Sequence, residues 1–77
     1  MKTTEYFRHT RLRADRKRIR DEWIGMAIES PIKETIQSDG RIQRWVYIES
    51  EQKYLRVIVL EDGETVHNAF FDRSFRS

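Results

Sequence analysis

The chain has no cysteine, one proline and three glycines in 77 residues. Without cysteine, neither a disulfide framework nor a thiolate metal site can form. Two histidines without cysteine make a structural zinc site a poor fit. Long apolar runs are also missing. The longest aliphatic run, Val-Ile-Val-Leu at 57–60, is far too short to cross a bilayer, and the first residues hold no apolar run of signal-peptide length. The expectation is a soluble cytoplasmic protein with no membrane partner. There is no glycine-rich phosphate loop and no nucleophile elbow, and the acidic residues do not converge as a pair. No metal and no cofactor is expected. The length allows one domain, 1–77, burying only about 60% of the surface its unfolded chain exposes. Dimerisation or a bound partner would supply the missing burial.

What the chain does have is a strong hairpin signal at 53–72. Lys-Tyr-Leu-Arg-Val-Ile-Val-Leu and Thr-Val-His-Asn-Ala-Phe-Phe-Asp, both rich in β-branched and aromatic residues, flank Asp62-Gly63. Charge is uneven as well. Residues 1–20 carry eight basic and two acidic side chains, a net of +6; residues 21–77 carry seven and eleven, a net of −4. A basic segment on a mildly acidic body suits either a polyanionic partner or a solvated helix face.

In chain order, residues 1–14 read as a basic arm or, through Thr4, Tyr6 and Phe7, a short strand. Asp15 is the expected N-cap of a helix over 15–29. Ile19, Trp23, Met26 and Ala27 share one helical face, widened by Ile24 and Ile28, with Trp23 as the expected anchor. Gly25 should cost about 1 kcal/mol relative to alanine there, unless a strand approaches closely. Pro31 ends the helix by disfavouring helical geometry at Ser30. An antiparallel sheet over 32–73 follows, with strands at 32–37, 41–48, 53–60 and 65–72. The fold class is therefore α+β, one main helix on a four-stranded meander.

Turn lengths set the faces. A three-residue Ser38-Asp39-Gly40 loop places Ile32 and Ile36 opposite Val46 and Ile42. A two-residue Glu51-Gln52 loop places Ile48 opposite Leu55 and Val46 opposite Val57, and the Asp62-Gly63 turn places Leu60 opposite Thr65. Ile42, Val46, Ile48, Leu55, Val57, Val59, Val66 and Phe70 then form the face under the helix. Gln43, Trp45, Tyr47, Tyr54, Arg56, Ile58, Leu60, His67 and Phe71 form the second face. That face is too apolar to stay wet, so a partner, the N-terminal arm or a second copy should cover part of it.

Candidate chemistry gathers on the second face. Arg56 and His67 are diagonal neighbours, Tyr54 lies beside Arg56, and Arg73 follows at the strand end. Cleaving RNA takes cations for the phosphorane charge and a group that moves protons at the 2′-oxygen. Arg56, His67 and Arg73 are the catalytic candidates of that type. The alternative is structural: Arg56 lays its stem over Trp45 and Tyr47, and His67 is a surface strand residue. Tyr54, Trp45 and Tyr47 can stack bases, or can pack across strands or in an interface. The Arg11 to Arg20 cluster, Arg16, Lys17 and Arg20 foremost, can grip phosphates, or can form a solvated face.

The helical stretch with Trp23-Ile24 and Ile28-Glu29-Ser30-Pro31, followed by Tyr54-Leu55-Arg56-Val57 and His67-Asn68-Ala69-Phe70-Phe71-Asp72-Arg73, resembles the small RelE-like toxins, in particular their BrnT-like relatives. The resemblance lies in pattern, not in a specific motif, and covers over half the chain. It implies helical sequence before an antiparallel meander, a toxin–antitoxin setting with a small protein antitoxin, and ribosome-associated mRNA cleavage. No single catalytic set of that family maps here position by position. The other expectation is a non-catalytic binding module, with the aromatic face turned to a protein partner or to a homodimer mate.

Overall fold

The computed structural model describes residues 1–76. It places α1 (Glu5–Thr10), α2 (Asp21–Glu29), β1 (Lys33–Ile36), β2 (Ile42–Ile48), β3 (Lys53–Val59) and β4 (Val66–Phe71) in chain order. The strands pair antiparallel in the order β1-β2-β3-β4, a meander with two helices before it. Among the described residues, no helix is long and apolar enough to cross a membrane.

The helical part differs from the single helix expected over 15–29. Asp15 lies in a run of turns, and α2 starts at Asp21 with Arg20 as its N-cap. A helix capped by Asp15 would set Arg16, Lys17 and Arg18 in its first turn, against the positive end of the macrodipole. Starting at Asp21, it places Asp21 and Glu22 there instead. Residues 1–14 are neither a free arm nor simply a strand. Thr3 makes one parallel bridge to Val66, and Thr4 then caps α1 by accepting the Phe7 amide at 3.1 Å. Phe7 carries α1 into the core.

On α2 the buried stripe is Ile24 and Ala27, both fully enclosed, with Trp23 and Ile28 packed at its flanks. Met26, expected inward, is 47% exposed. No heavy atom outside the helix backbone lies within 4 Å of a Cβ built on Gly25, so close approach does not require glycine there. Gly25→Ala should therefore raise stability by about 0.5–1 kcal/mol, read as a higher urea midpoint; a lower midpoint would reveal packing that the static structure lacks.

The sheet keeps the expected faces, with three changes. The β2–β3 connection is a four-residue turn over 49–52 with Gln52 left-handed (φ 53°), so Ile48 pairs with Lys53 and Val46 with Leu55. The pairing slips by two residues from the expected register, which leaves every side chain on its own face. The β1–β2 loop is as expected: Ile36 opposes Ile42, the Gln37 amide donates to the Arg41 carbonyl at 2.7 Å, and Gly40 is left-handed (φ 89°). Ile32 and Ile36 nevertheless stay exposed, because α2 packs over β2 and β3 and not over the edge strand.

The third change matters most. Leu60 meets Thr65 as expected, but β4 then bulges: Val59 pairs with Val66 and Ile58 with Asn68, leaving His67 as the extra residue. Everything after it swaps faces. Phe70, expected in the core, pairs with Arg56; Phe71, expected outside, pairs with Leu55 and packs against the core beside Trp23. The core proper is Phe7, Ile19, Ile24, Ala27, Val46, Ile48, Leu55, Val57, Val59, Val66 and Ala69. Arg44 also lies on the helix side, opposite Val57, and donates to the carbonyls of Ile28 and Gly63 and to Glu34. It thereby serves a carbonyl near the C-terminal end of α2.

Candidate functional site

Asp72, just past β4, organises the second face. Its Oδ2 accepts from Trp45 Nε1 (3.0 Å), Arg56 Nε (3.0 Å) and Arg56 Nη2 (2.6 Å), and its Oδ1 accepts from the Ser74 amide and hydroxyl. The carboxylate is almost wholly buried. Burial alone would raise its pKa, but the hydrogen bonds from Trp45, Ser74 and Arg56 outweigh that and hold it below the usual carboxylate range. The residues after β4 are thereby folded back over the sheet. Phe75 stacks on Trp45 at 5.0 Å and tilts against Tyr54 at 4.8 Å. Thus the chain's own C-terminal residues cover much of the aromatic face that was expected to need a partner. Tyr47, which meets Tyr54 edge-on, stays 41% exposed.

Next to this network stands a stack of guanidinium, ring and guanidinium. Arg56 lies 4.8 Å from the Phe70 centroid and 5.5 Å from that of Trp45, and Arg16 lies 5.3 Å from Phe70. Gln43 takes a further Arg56 donor, and Asn68 takes Arg16 Nη1 at 2.8 Å. The bulge at His67 makes this possible, since it turns both Asn68 and Phe70 to the second face.

Beyond Arg16 the surface opens into a pocket of about 440 Å³ lined by Ala14, Asp15, Arg16, Arg18, Lys53, Phe70, Phe71 and Arg73. Four cations face one carboxylate across two aromatic rings. Arg18 pairs with Glu51 at 2.7 Å, and Lys53 lies 5.4 Å from the Phe71 centroid. Among the described residues, Arg73 has no acidic partner. Arg16 Nε is buried without a hydrogen bond, although Asp15 Oδ2 lies 3.5 Å away. No lining side chain is of a type that titrates near neutral pH. The pocket can hold an anion, but it offers no group to shuttle protons.

The expected catalytic set is spread over three environments. Arg56 is engaged by Asp72 and Gln43, and Arg73 lines the pocket. His67 turns to the N-terminal segment, where Tyr6 stacks on it at 4.8 Å and Thr4 Oγ1 lies 3.1 Å from Nδ1. The same hydroxyl accepts the Phe7 amide, so Thr4 ties the start of α1 to His67. Burial, and then the charge of Arg41, lowers its pKa below the usual imidazole value. Of the expected phosphate-gripping cluster, Arg16 and Arg18 line the pocket. Arg20 pairs with Glu22 and lies over Trp23, and Lys17 is exposed. Sequence reasoning missed Asp72 as a hub, along with Asn68, Phe70 and Lys53. Their roles depend on the bulge and on chain-distant pairing, and nothing local in the sequence signals them. Among the described residues, no cluster of three acidic or histidine side chains is placed to hold a metal ion. The chain matches no protein-family model, no curated protein and no solved structure.

Proposed function

We propose that this protein binds RNA at the cationic pocket and the adjoining Arg16–Phe70–Arg56 stack, and that it acts by binding and not by cutting. The carrying observation is the convergence of Arg16, Arg18, Lys53 and Arg73 on one pocket with a single carboxylate in its lining. Such a site draws phosphate by charge. The case against cleavage is chemical. Arg56 is occupied by a buried carboxylate, and His67 is engaged with Thr4 and Tyr6, away from any partner of the pocket. A RelE-like setting is part of this reading. The order of helices before an antiparallel meander supports it, and a small antitoxin or the ribosome would be the matching partner.

Fluorescence anisotropy with a labelled single-stranded RNA tests the proposal. Binding should weaken steeply with salt, and reversing two charges together, Arg18→Glu and Arg73→Glu, should cost about tenfold or more at low salt. The RNA should remain full length throughout. Absence of binding at low salt would refute the RNA reading. Shortened RNA, together with growth arrest on expression that Arg56→Ala and His67→Ala relieve, would replace it with a cleaving toxin.

A further inference from the structure

We infer that the pocket between residues 14–18 and the end of β4 is a site for a terminal phosphate, the phosphomonoester group at an end of an RNA chain. This inference rests on the RNA-binding reading and sharpens it. A diester within the strand carries one negative charge and two non-bridging oxygens. A monoester carries between one and a half and two negative charges at neutral pH and three terminal oxygens, by about the same count as a phosphorylated side chain. The pocket is built for the second. Four cationic side chains meet one carboxylate, so the lining is left with a net charge of +3. Even with Glu51 counted against Arg18, an excess of two positive charges remains.

The donors are also poised. Arg16 is held by Asn68 and by the Phe70 ring, and its side chain is only 15% exposed. Its orientation is therefore fixed before any ligand arrives, and its Nε faces the Asp15 carboxylate at 3.5 Å. Arg73 also lines the pocket, exposed and with no acidic partner among the described residues. Phe70 and Phe71 contribute apolar lining, which strengthens charge–charge attraction relative to open water. Three guanidiniums and one ammonium around one pocket suit a tetrahedral group whose oxygens point several ways.

The test uses the full chain and one short single-stranded RNA in three forms: 5′-phosphorylated, 3′-phosphorylated, and hydroxyl at both ends. One phosphorylated form should bind on the order of tenfold more tightly than the hydroxyl form, and which one does so identifies the end that is read. Inorganic phosphate should erase the preference by competition. Arg73→Gln should reduce the preference to about twofold or less while leaving the urea midpoint unchanged, because among the described residues Arg73 makes no ion pair that the fold would lose. Equal binding of all three RNAs overturns the terminal-phosphate site and leaves RNA binding standing. Failure of all three to bind overturns both. A preference that survives both Arg73→Gln and Lys53→Gln overturns the location.

Discussion

Replacing Asp72 with alanine is expected to cost about 3 kcal/mol of folding stability, toward the low end of what removing one partner of a buried ion pair costs because Arg56 keeps some solvent. The substitution leaves three donors, two on Arg56 and one on Trp45, without their acceptor, and it releases Ser74 as well. Phe75 should then leave Trp45, so tryptophan fluorescence should shift to the red even in the folded variant. The same carboxylate makes stability depend on pH. Its folded pKa lies below the unfolded value of about 3.9, so its contribution is fully present above that value and is lost as pH falls through the folded pKa. Asp72→Asn removes the titration while keeping one oxygen acceptor. The stability gap between wild type and Asp72→Asn should hold constant from neutral pH to about pH 5, then narrow below about pH 4. Urea titrations across that series would measure it, and a gap that stays constant to pH 2 would show that the hub does not titrate as argued.

Ile24→Ala is expected to be the most damaging apolar substitution on α2, at about 2–5 kcal/mol. Ile24 is fully enclosed between α2 and the β2–β3 face, and truncation leaves a cavity that the stiff sheet cannot close. Total stability for a chain of this length is on the order of 4–12 kcal/mol, so one such cavity removes a large share of it. Trp23→Ala should cost less, because Trp23 flanks the core beside Phe71 and Arg20 and keeps solvent on one side. Met26→Ala should stay within about 0.5 kcal/mol, as substitutions at exposed positions do. Equal midpoint losses for Ile24→Ala and Trp23→Ala would restore Trp23 as the anchor that helical spacing alone suggests.

The N-terminal half shows how far local rules reach. Helix periodicity marks the apolar residues from Ile19 to Ile28 but does not choose among them. The face that wins is the one that fits against Val46, Leu55 and Val57, and this turns Ile24 and Ala27 inward and Met26 outward. The start of α2 was open to sequence reasoning through charge. Asp21-Glu22 suits a first helical turn and Arg16-Lys17-Arg18 does not, a macrodipole argument that needs no tertiary contact.

In the sheet, local chemistry determined most of the architecture. Asp39-Gly40 and Asp62-Gly63 place two of the turns, because glycine tolerates the left-handed backbone both require. The alternation through Leu55, Val57 and Val59 settles which face is dry, since strand side chains repeat every two residues whatever the pairing partner. That period also explains why a two-residue slip between β2 and β3 left the faces unchanged. The bulge at His67 belongs to tertiary structure alone. Val66 is gripped from the far end of the chain: its amide donates to Lys2, its carbonyl accepts from Thr4, and Thr4 reaches on to His67. A strand held at that point by a segment more than sixty residues away in sequence can gain an extra residue that its own pattern does not show. One residue of offset moved Phe70 out to Arg56 and Arg16 and Phe71 in toward Trp23. Side-chain period and turn chemistry are local and were legible from the residues themselves. The candidate site depends on register after a bulge and on side-chain hydrogen bonds spanning 16 to 52 residues, so only the folded chain could assemble it.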